Sequence, residues 1–576
     1  MIDPILPLQK RVSEALSAAF PEVEKGVDLA VHRSEHADYQ CDVAMALARK
    51  VRKAPKAVAQ ALVEKLTPDE ALASAVISGP GFINLMLRAE YLAAELGRMG
   101  HDPRLGAALA ATPEKIVIDY SSPNLAKEMH VGHLRSTLIG DALARVLEFQ
   151  GHTVIRQNHI GDWGTPFGML LEYMRDQGID GASSGLKELS TFYRAARAKF
   201  DSDPAFANRA RLRVVQLQAL EPETLALWRA LIGVTLDNLD ILYQRLGVTL
   251  KREHVAGESQ YNPELANVCA ELEAKGVARI SDGALCAFPP GFTNREGEQL
   301  PLILRKQDGG FTYGTTDLAA LKYRVQTLQA TRVVYVVGAP QATHLAMVYA
   351  IGRMAGWVPE NVRLEHVAFG SVLGEDKKIL KSRAGEALSL GSLLDEAVDR
   401  ARKLIDEKSA ELPEETKATL ANSVGIGAIK YADLGNDHAR DYIFDLNRMV
   451  AFEGNTGPYL MYAHARIHSI LRKAAEDGIS FQGGAIVLAE PQERALALEL
   501  LQFPQTVERV GETLQGHRLS QHLYALATAY SAFYRDCPVL KAEGATRTSR
   551  LQLCQLTARV LELGLRLLSI TAPEQM

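Results

Sequence analysis

The stretch from residue 114 to residue 160 constrains the fold more than any other part of the chain. EKIVIDYSS is an alternating run rich in β-branched residues, GHLRSTLIGDALARVLEFQ places apolar residues at helical spacing, and HTVIRQNHI is again strand-like. A strand, a helix and a second strand in this order form a βαβ unit. Such a unit predicts a parallel sheet with a right-handed crossover.

A second unit of the same kind follows after a long interval. RVVYVVG (332–338) has a buried-strand pattern, ATHLAMVYAIGRMAG is a helix that ends at glycine, and VRLEHVAFGSVLG (362–374) is a further strand. Charged, helical sequence at about residues 170–245 separates the two halves. We therefore expect an α/β fold whose doubly wound parallel sheet is interrupted by a helical insertion.

The two ends of the chain have a different pattern from its centre. Residues 1–110 mix amphipathic helices with the strand-like GPGFINLML, which predicts an α+β N-terminal domain that ends in a linker-like segment. We expect the catalytic domain at residues 111–395 and an all-helical domain at residues 396–576. With 576 residues, the chain is long enough for these domains.

Composition limits the cellular setting. No apolar run reaches the roughly 20 residues that span a bilayer, and the N-terminus lacks the pattern of a signal peptide. The five cysteines are widely spaced and never form C-x-x-C, which argues against a disulfide framework and a thiolate zinc site. We therefore expect a cytoplasmic protein without a membrane partner. The net charge of −5 does not decide on nucleic acid, because only a local basic face has to contact phosphates.

The junction between the first strand and its helix carries His130 and His133 on either side of Gly132, with Lys127 upstream. A helix start offers unpaired N–H groups and the positive end of a dipole, so it favours anions. The imidazoles and the lysine can contact phosphate oxygens, and Gly132 lets a base or ribose approach the backbone. Surface histidines or two metal ligands are the alternatives, although no third ligand with recognisable spacing follows.

A basic loop follows the last strand of the second unit. GEDKKILKSRAGEA contains Lys377, Lys378, Lys381 and Arg383 in a glycine-flanked segment. A cationic loop at the carboxyl end of a strand could close over a triphosphate and stabilise the leaving pyrophosphate, whereas a solvated loop is the commoner fate of such a run. Together with the two histidines around Gly132, this loop indicates adenylyl transfer.

Longer strings make the chain similar to a known family. HVGH resembles the HIGH signature of class I aminoacyl-tRNA synthetases, and the basic loop stands at the KMSKS position. SPNLAKEMHVGHLRST, NHIGDWGTPFGML, DGGFTYGTTDLAA, KYADL and FEGNTGPYLMYAHAR resemble the arginyl-tRNA synthetases within that class. The resemblance implies a Rossmann-type (HUP-like) catalytic domain, an additional N-terminal domain that contacts tRNA, and a DALR-type anticodon-binding domain.

For the nucleotide, the resemblance implies that His130 and His133 bind the phosphates of ATP and that Gly132 packs against adenine. KILKSR departs from K-M-S-K-S, since Ser382 stands where the second lysine belongs. Lys127 is expected to compensate for that lysine. The other candidates in the loop are Lys378, Lys381 and Arg383.

A guanidinium is planar, permanently charged and rich in donors, so its pocket needs carboxylates and other acceptors at fixed positions. Tyr313 and Asp317 share one face if their segment is helical, and Gln341 follows a strand. By resemblance, Glu258, Tyr313 and Asp317 would contact an arginine side chain, with Asn124 and Gln341 nearer its α-amino and carboxylate groups. The residues alone favour a helix N-cap for Asp317 and a surface charge for Glu258.

The C-terminal helices carry aromatic residues suited to stacking on unpaired bases, among them Tyr459, Tyr462 and Tyr534. Core packing is the commoner fate of any single one. His464 and His468 are four residues apart on one helical face but lack a third ligand, so no protein-bound zinc is expected. In the N-terminal domain, the candidates for tRNA contact are Tyr39, Phe82 and Asn84.

The resemblance implies an arginine–tRNA ligase. Such an enzyme would join L-arginine to AMP with Mg-ATP and pass the arginyl group to the terminal adenosine of tRNA-Arg, while the insertion contacts the acceptor end of the tRNA. We expect a monomer that acts by positioning and charge stabilisation, without a protein nucleophile. Another class I synthetase, a small-molecule adenylyltransferase and an RNA-binding relative without catalysis are the alternatives.

Overall fold

The computed structural model describes residues 4–23, 26–125, 128–179, 186–294, 296–380, 388–481 and 483–576. Four predicted site residues lie outside these ranges, namely Lys127, Lys381, Ser382 and Arg383. Within the described ranges, no helix has both the length and the apolar character needed to cross a membrane.

The N-terminal unit is an antiparallel sheet packed against helices. Its elements are α1 (Ile5–Ala19), β1 (Val31–Arg33), β2 (Tyr39–Cys41), α2 (Val43–Leu47), α3 (Pro55–Val63), β3 (Leu72–Ser78), β4 (Phe82–Leu87) and α4 (Ala89–His101). The strands lie in the order β1, β2, β4, β3. Along β4, the buried residues Ile83, Leu85 and Leu87 alternate with more exposed ones, as expected for a strand with one face on a core.

The central unit contains the predicted parallel sheet. Its elements are β5 (Lys115–Asp119), α5 (Val131–Phe149), β6 (Thr153–Gln157), α6 (Thr165–Gln177), α7 (Leu186–Ser202), α8 (Pro204–Gln218), α9 (Pro222–Leu246), α10 (Asn262–Ala274), β7 (Ala278–Ser281), β8 (Ala284–Ala287), β9 (Leu302–Arg305), α11 (Tyr313–Lys322), β10 (Arg332–Tyr335), α12 (Ala342–Met354), β11 (Arg363–His366) and β12 (Val372–Leu373).

The strand order β11, β10, β5, β6 is parallel throughout, with α5 as the crossover between β5 and β6. β5 and β10 are buried along most or all of their length, which is typical of inner strands covered on both faces. The predicted α/β class and the parallel sheet are confirmed. A separate antiparallel sheet of β7, β8 and β9 lies between α10 and α11, and the sequence does not predict it.

The C-terminal part is mainly helical, as predicted. Its elements are α13 (Leu390–Lys408), α14 (Glu414–Leu434), β13 (Tyr442–Ile443), α15 (Leu446–Met449), α16 (Gly457–Glu476), α17 (Pro491–Leu501), α18 (Phe503–Thr513), α19 (His517–Asp536) and α20 (Gly544–Leu567). The short strand β13 pairs in parallel with β12, so this part of the chain is joined to the central unit by backbone hydrogen bonds as well as by side chains.

A buried ion pair joins α5 to α14. The Nε atom of Arg135 lies 3.2 Å from Oδ2 of Asp433, and both side chains are almost fully shielded from water. Nη1 of Arg135 also donates hydrogen bonds to the carbonyl oxygens of Gly370 and Arg440, at 2.7 and 3.0 Å. One guanidinium thus contacts the residues just before β12 and just before β13.

A second contact, which we call the N-terminal clasp, joins the first unit to the C-terminal helices. It consists of Arg494, Asp38 and Leu87. Nε of Arg494 donates to Oδ1 of Asp38 at 2.9 Å, and its Nη2 donates to the carbonyl oxygen of Leu87 at 2.6 Å. The Leu87 amide donates to the other oxygen of Asp38 at 2.7 Å. Because the Asp38 side chain is only 4% exposed, Arg494 supplies the cation that its burial requires.

We expect Arg494→Met to lower the free energy of local unfolding of the N-terminal unit by about 3 kcal/mol, because it leaves the buried Asp38 carboxylate without a cation. The measurement is hydrogen–deuterium exchange, in which β4 amides should exchange about a hundred-fold faster. Arg535→Met is the matched control, because Arg535 is 72% exposed and pairs with its neighbour Asp536. Equal exchange rates in the two variants would contradict the role of the clasp.

Candidate active site

The start of α5 fixes two imidazole rings by hydrogen bonds to the backbone. His130 precedes the helix in an extended conformation, and its Nδ1 accepts from the Gly132 amide at 3.0 Å. Nδ1 of His133 accepts from the His130 amide at 3.2 Å. A neutral imidazole whose Nδ1 accepts must carry its proton on Nε2. The proton of each neutral ring is therefore on Nε2, at the positive end of the helix dipole.

Gly132 lies on the exposed side of this turn. A Cβ atom at residue 132 would lie 2.8 Å from Cε1 and 3.0 Å from Nδ1 of His130. Any larger residue at this position would therefore displace the His130 ring. The absence of a side chain keeps both the ring position and the open backbone surface.

The loop between β5 and α5 is held by side-chain hydrogen bonds. Ser121 and Ser122 have positive φ values of 69° and 44°, a region that costs energy for residues other than glycine. Oγ of Ser122 donates to Oδ1 of Asp119 at 2.7 Å, and the Ser121 amide donates to Oγ of Ser136 at 2.9 Å. These bonds offset the strain and orient the segment that leads to the histidines.

Asn124 lies in this loop beside the chain that follows β6. The Leu125 amide donates to the Gly161 carbonyl at 2.9 Å, and the Gly161 amide donates to the Pro123 carbonyl at 3.1 Å. A Cβ at Gly161 would lie 2.0 Å from Oδ1 of Asn124, so only glycine permits this approach. Asn124 is exposed at the carboxyl ends of the parallel strands.

The chain that leaves the basic loop meets the start of α5. The Val131 amide donates to the Leu388 carbonyl at 3.2 Å, and the Leu390 amide donates to the Met129 carbonyl at 2.9 Å. On the other side of the loop, Lys378 is exposed and its amide donates to Oδ1 of Asp376 at 3.1 Å. The segment that follows the loop, from Leu388 onward, therefore lies beside the histidine turn.

Asp317 is the centre of a charged cluster on α11, which we call the acid pocket. Its Oδ2 lies 2.6 Å from Nε2 of His344, and its Oδ1 lies 3.5 Å from Nε2 of His159. Burial alone would raise the pKa of Asp317, but the two histidines hold that pKa well below its usual range. Asp317 therefore carries a negative charge at neutral pH.

His159 has acceptors on both ring nitrogens. Its Nδ1 lies 3.0 Å from the Ala256 carbonyl oxygen, while its Nε2 faces Asp317. Only the doubly protonated ring can donate to both acceptors. Although burial opposes it, the pKa of His159 is raised by the hydrogen bond with Asp317 and by the charges of Asp119 and Asp317.

Glu258 adds a second carboxyl group to the acid pocket. It begins a short 3-10 turn, Glu258–Tyr261, and its amide donates to the Ile160 carbonyl at 3.1 Å. Burial raises its pKa to about 7, and the negative charges of Asp317 and Asp162 add to the increase. At neutral pH this carboxyl group is close to half ionised, so a cation beside it would complete its ionisation.

The remaining predicted residues lie at the rim of the acid pocket. The Tyr313 ring is 63% exposed and packs against His344, with 4.8 Å between ring centroids. Gln341 is exposed in the turn before α12, three residues ahead of His344. The sequence prediction did not single out His159 or His344. A usable signal existed for His159, which follows the carboxyl end of β6 closely, whereas His344 lies within α12.

This arrangement places two binding chemistries at one edge of the parallel sheet, where the His159 amide donates to Oγ of Ser122 at 3.1 Å. Two imidazole donors at a helix start suit an oxyanion, and two carboxyl groups beyond the strand ends suit a cation. Ligands of open parallel sheets bind at this edge. This edge of the sheet therefore suits a molecule or a pair of molecules that carries both kinds of charge.

Comparison with known proteins shows the family to which the chain belongs. The family described as "tRNA synthetases class I (R), catalytic domain" matches residues 100–446. A protein named arginine–tRNA ligase from Thermobifida fusca is 53% identical over 100% of both chains. The chain belongs to the arginyl-tRNA synthetase family. The "Arginyl tRNA synthetase N terminal domain" and the "DALR anticodon binding domain" match residues 7–87 and 460–576.

Solved structures of arginyl-tRNA synthetases have the same overall fold. The enzyme of Plasmodium falciparum superposes with a TM-score of 0.85 at 28% identity, covering 99% of this chain and 98% of that one. The enzyme of Thermus thermophilus gives a TM-score of 0.78 at 29% identity, covering 99% and 100%. The arrangement of N-terminal, central and C-terminal parts in this synthetase is therefore shared along its whole length.

The candidates for RNA contact in the N-terminal unit of this synthetase differ in exposure. Tyr39 is 1% exposed because its ring points from β2 into the core, so the prediction that it contacts tRNA is corrected. Phe82 and Asn84 are half-buried on β4. The period of two along these strands decides which side chains face outward.

In the C-terminal helices, exposed aromatics surround a cation. Tyr462 and Tyr534 are 39% and 42% exposed. The Arg466 guanidinium lies over both rings, 4.6 Å from the centroid of Tyr462 and 5.4 Å from that of Tyr534. Tyr459 is half-buried, and its hydroxyl lies 3.0 Å from Oγ of Ser531. A planar face of aromatic rings and guanidinium suits an unpaired base.

We expect the stability difference between Glu258→Gln and wild type to depend on pH. The folded-state pKa of about 7 lies above the ordinary value of 4.5, so ionisation destabilises the folded protein as the pH rises from 4.5 to 7. Glutamine cannot ionise, so this cost is absent in the variant. Its free energy of unfolding should exceed that of wild type by on the order of 2 kcal/mol at pH 8, and by nothing at pH 4.

Thermal melting at several pH values measures this difference. Glu253→Gln is the control, since that side chain is 70% exposed. A gain that does not change with pH, or one that the control shares, would contradict a raised pKa at Glu258.

Proposed function

We propose that this member of the arginine–tRNA ligases activates L-arginine with Mg-ATP and transfers the arginyl group to the terminal adenosine of tRNA-Arg. The first step releases pyrophosphate and the second releases AMP. The acid pocket supports this function most directly, because it places carboxyl groups for a guanidinium near a helix start suited to phosphates. Mg²⁺ enters with ATP as part of the substrate.

In this proposal the phosphates of ATP bind at the start of α5. His130 and His133 donate from Nε2, and the bonds strengthen as charge builds on the phosphate oxygens. Gly132 leaves room for the adenosine. By family resemblance, the basic loop contributes charge to the leaving pyrophosphate. Its candidates are Lys378 and, outside the described residues, Lys381, Ser382 and Arg383, with Lys127 in front of the histidines.

Arginine binds in the acid pocket with its guanidinium toward Glu258 and Asp317. A bound guanidinium lowers the pKa of Glu258, so binding at pH 7 releases part of a proton. Tyr313 covers the site at its rim, while Asn124 and Gln341 lie toward the α-amino and carboxylate groups. Amino acids without a guanidinium leave buried carboxyl groups unpaired, which gives discrimination on the order of 10⁴-fold without editing.

The parts outside the central unit serve the tRNA in this proposal. The proposed domain limits are 1–110, 111–395 and 396–576, with the insertion at about 170–245 beside the acceptor end. Tyr462, Tyr534 and Arg466 form a stacking surface for unpaired bases. We infer a monomer in the cytoplasm, and the five buried, unpaired cysteines fit a reducing compartment.

Exchange of radioactive pyrophosphate into ATP tests the proposal. The exchange rate is measured with and without tRNA-Arg. We expect exchange to require arginine and to fall at least 10⁴-fold when lysine or methionine replaces arginine. RNA binding without any exchange would favour an RNA-binding relative that lacks catalysis. Exchange that ignores both tRNA and arginine would favour a small-molecule adenylyltransferase.

Gly132→Ala tests the histidine turn. The new Cβ displaces the His130 ring, and a misplacement near 1 Å lowers kcat/KM for ATP about a hundred-fold. Gly97→Ala is the matched control, because a Cβ at this helical glycine in α4 has no neighbour within 4 Å. Unchanged ATP kinetics in Gly132→Ala would show that the His130 ring is not needed for the phosphates.

A further inference from the structure

Three potential metal ligands converge away from the proposed active site. Asp437 and His438 lie on the segment between α14 and β13, and His517 is the first residue of α19. One ligand atom from each residue lies within 4.8 Å of the other two. Among the residues that the structure describes, no other group of three such side chains meets this condition.

We propose that Asp437, His438 and His517 bind a divalent transition-metal cation of the Zn²⁺ class. Two imidazoles and one carboxylate are a common donor set for Zn²⁺, with water as the fourth ligand. Tetrahedral coordination brings ligand atoms to about 3.4 Å from one another. The three side chains are half-buried, so small rotations about their side-chain bonds can close the remaining gap.

The hydrogen bonds around the cluster leave ligand atoms available. Nδ1 of His517 is shielded from water and has no hydrogen-bond partner, which a metal bound through that atom would supply. Oδ1 of Asp437 accepts from the Ala439 amide at 3.1 Å, which orients the carboxylate and leaves Oδ2. The contact of Oδ2 with Arg440 is a loose 3.8 Å, and the arginine is 83% exposed.

The local charges permit a cation. Arg518 lies near His517, and Arg135 lies near His438 as a buried cation that opposes a metal. Its charge is compensated by Asp433 at 3.2 Å. Asp437 then supplies the negative charge that a divalent ion needs.

The position of the cluster gives the metal a structural consequence. The His438 carbonyl accepts from the Gly370 amide at 3.0 Å, so the ligand segment is bonded to the central unit where β11 leads into the basic loop. His517 belongs to the C-terminal helices. A metal at this point would cross-link those helices to the strand end that carries the loop.

The test is calorimetric titration of the full chain with Zn²⁺ alone, after chelator treatment and dialysis. We expect one tight site per chain, lost or weakened at least ten-fold in His438→Ala, in His517→Ala and in Asp437→Asn. Co²⁺ should give the visible absorption of four-coordinate cobalt in wild type and not in these variants. Zn²⁺ should also raise the Tm of wild type by a few degrees and leave that of His517→Ala unchanged.

His468→Ala is the matched control, since His464 and His468 are the other close histidine pair of the C-terminal helices, with ring centroids 4.5 Å apart. It should keep the Zn²⁺ affinity of wild type. Circular dichroism without metal verifies that each variant is folded. Absence of Zn²⁺ binding in wild type, or wild-type affinity in all three ligand variants, would overturn the proposal. Because the readout is binding, its result is independent of the pyrophosphate exchange activity.

Discussion

The buried ion pair between Arg135 and Asp433 holds the central unit of this synthetase against its C-terminal helices. Arg135 lies on α5, close behind the two histidines, and faces Asp433 of α14 with both side chains out of reach of water. Its Nη1 donates to the carbonyls of Gly370 and Arg440, which come just before β12 and β13. A buried charge tolerates little displacement from its partners, because each lost partner leaves a desolvated ion. The start of α5 is therefore held in register with the C-terminal helices.

Burial and neighbouring charges also set the ionisation of the two carboxyl groups in the acid pocket, but here one of the groups has no cation beside it that fully compensates its burial. Asp317 is ionised because two imidazoles lie against it, whereas Glu258 is kept near half protonation by burial and by neighbouring negative charge. Glu258 thus remains the group that a guanidinium would change most. In the proposed function, this incomplete charge balance is what favours a permanent cation at Glu258.

Hydrophobic periodicity and turn residues in the sequence predict much of the fold. They do not predict which distant segments contact each other. The βαβ units, the C-terminal helices and the histidine turn could be predicted because periodicity and helix-start chemistry are encoded within short windows. The contacts of Asp317 with His159 and His344 join α11 to the chain after β6 and to α12, which are far apart in the sequence. The β7–β9 sheet has short strands with weak alternation, and the burial of Tyr39 depends on which face of β2 meets helices. Such features are decided by tertiary packing, which a single sequence does not display.

The N-terminal clasp has a consequence for biosynthesis. Asp38 and Arg494 are 456 residues apart, so the ribosome completes the first unit long before it makes the cation that this unit buries. During that interval the carboxylate is solvated or unpaired, and the packing around Leu87 lacks one of its hydrogen-bond partners. The first unit therefore matures in two stages, with an early sheet that forms from local sequence and a late consolidation when the last helices emerge. A truncated chain that ends before α17 would contain every strand of the first sheet and still lack its finished state.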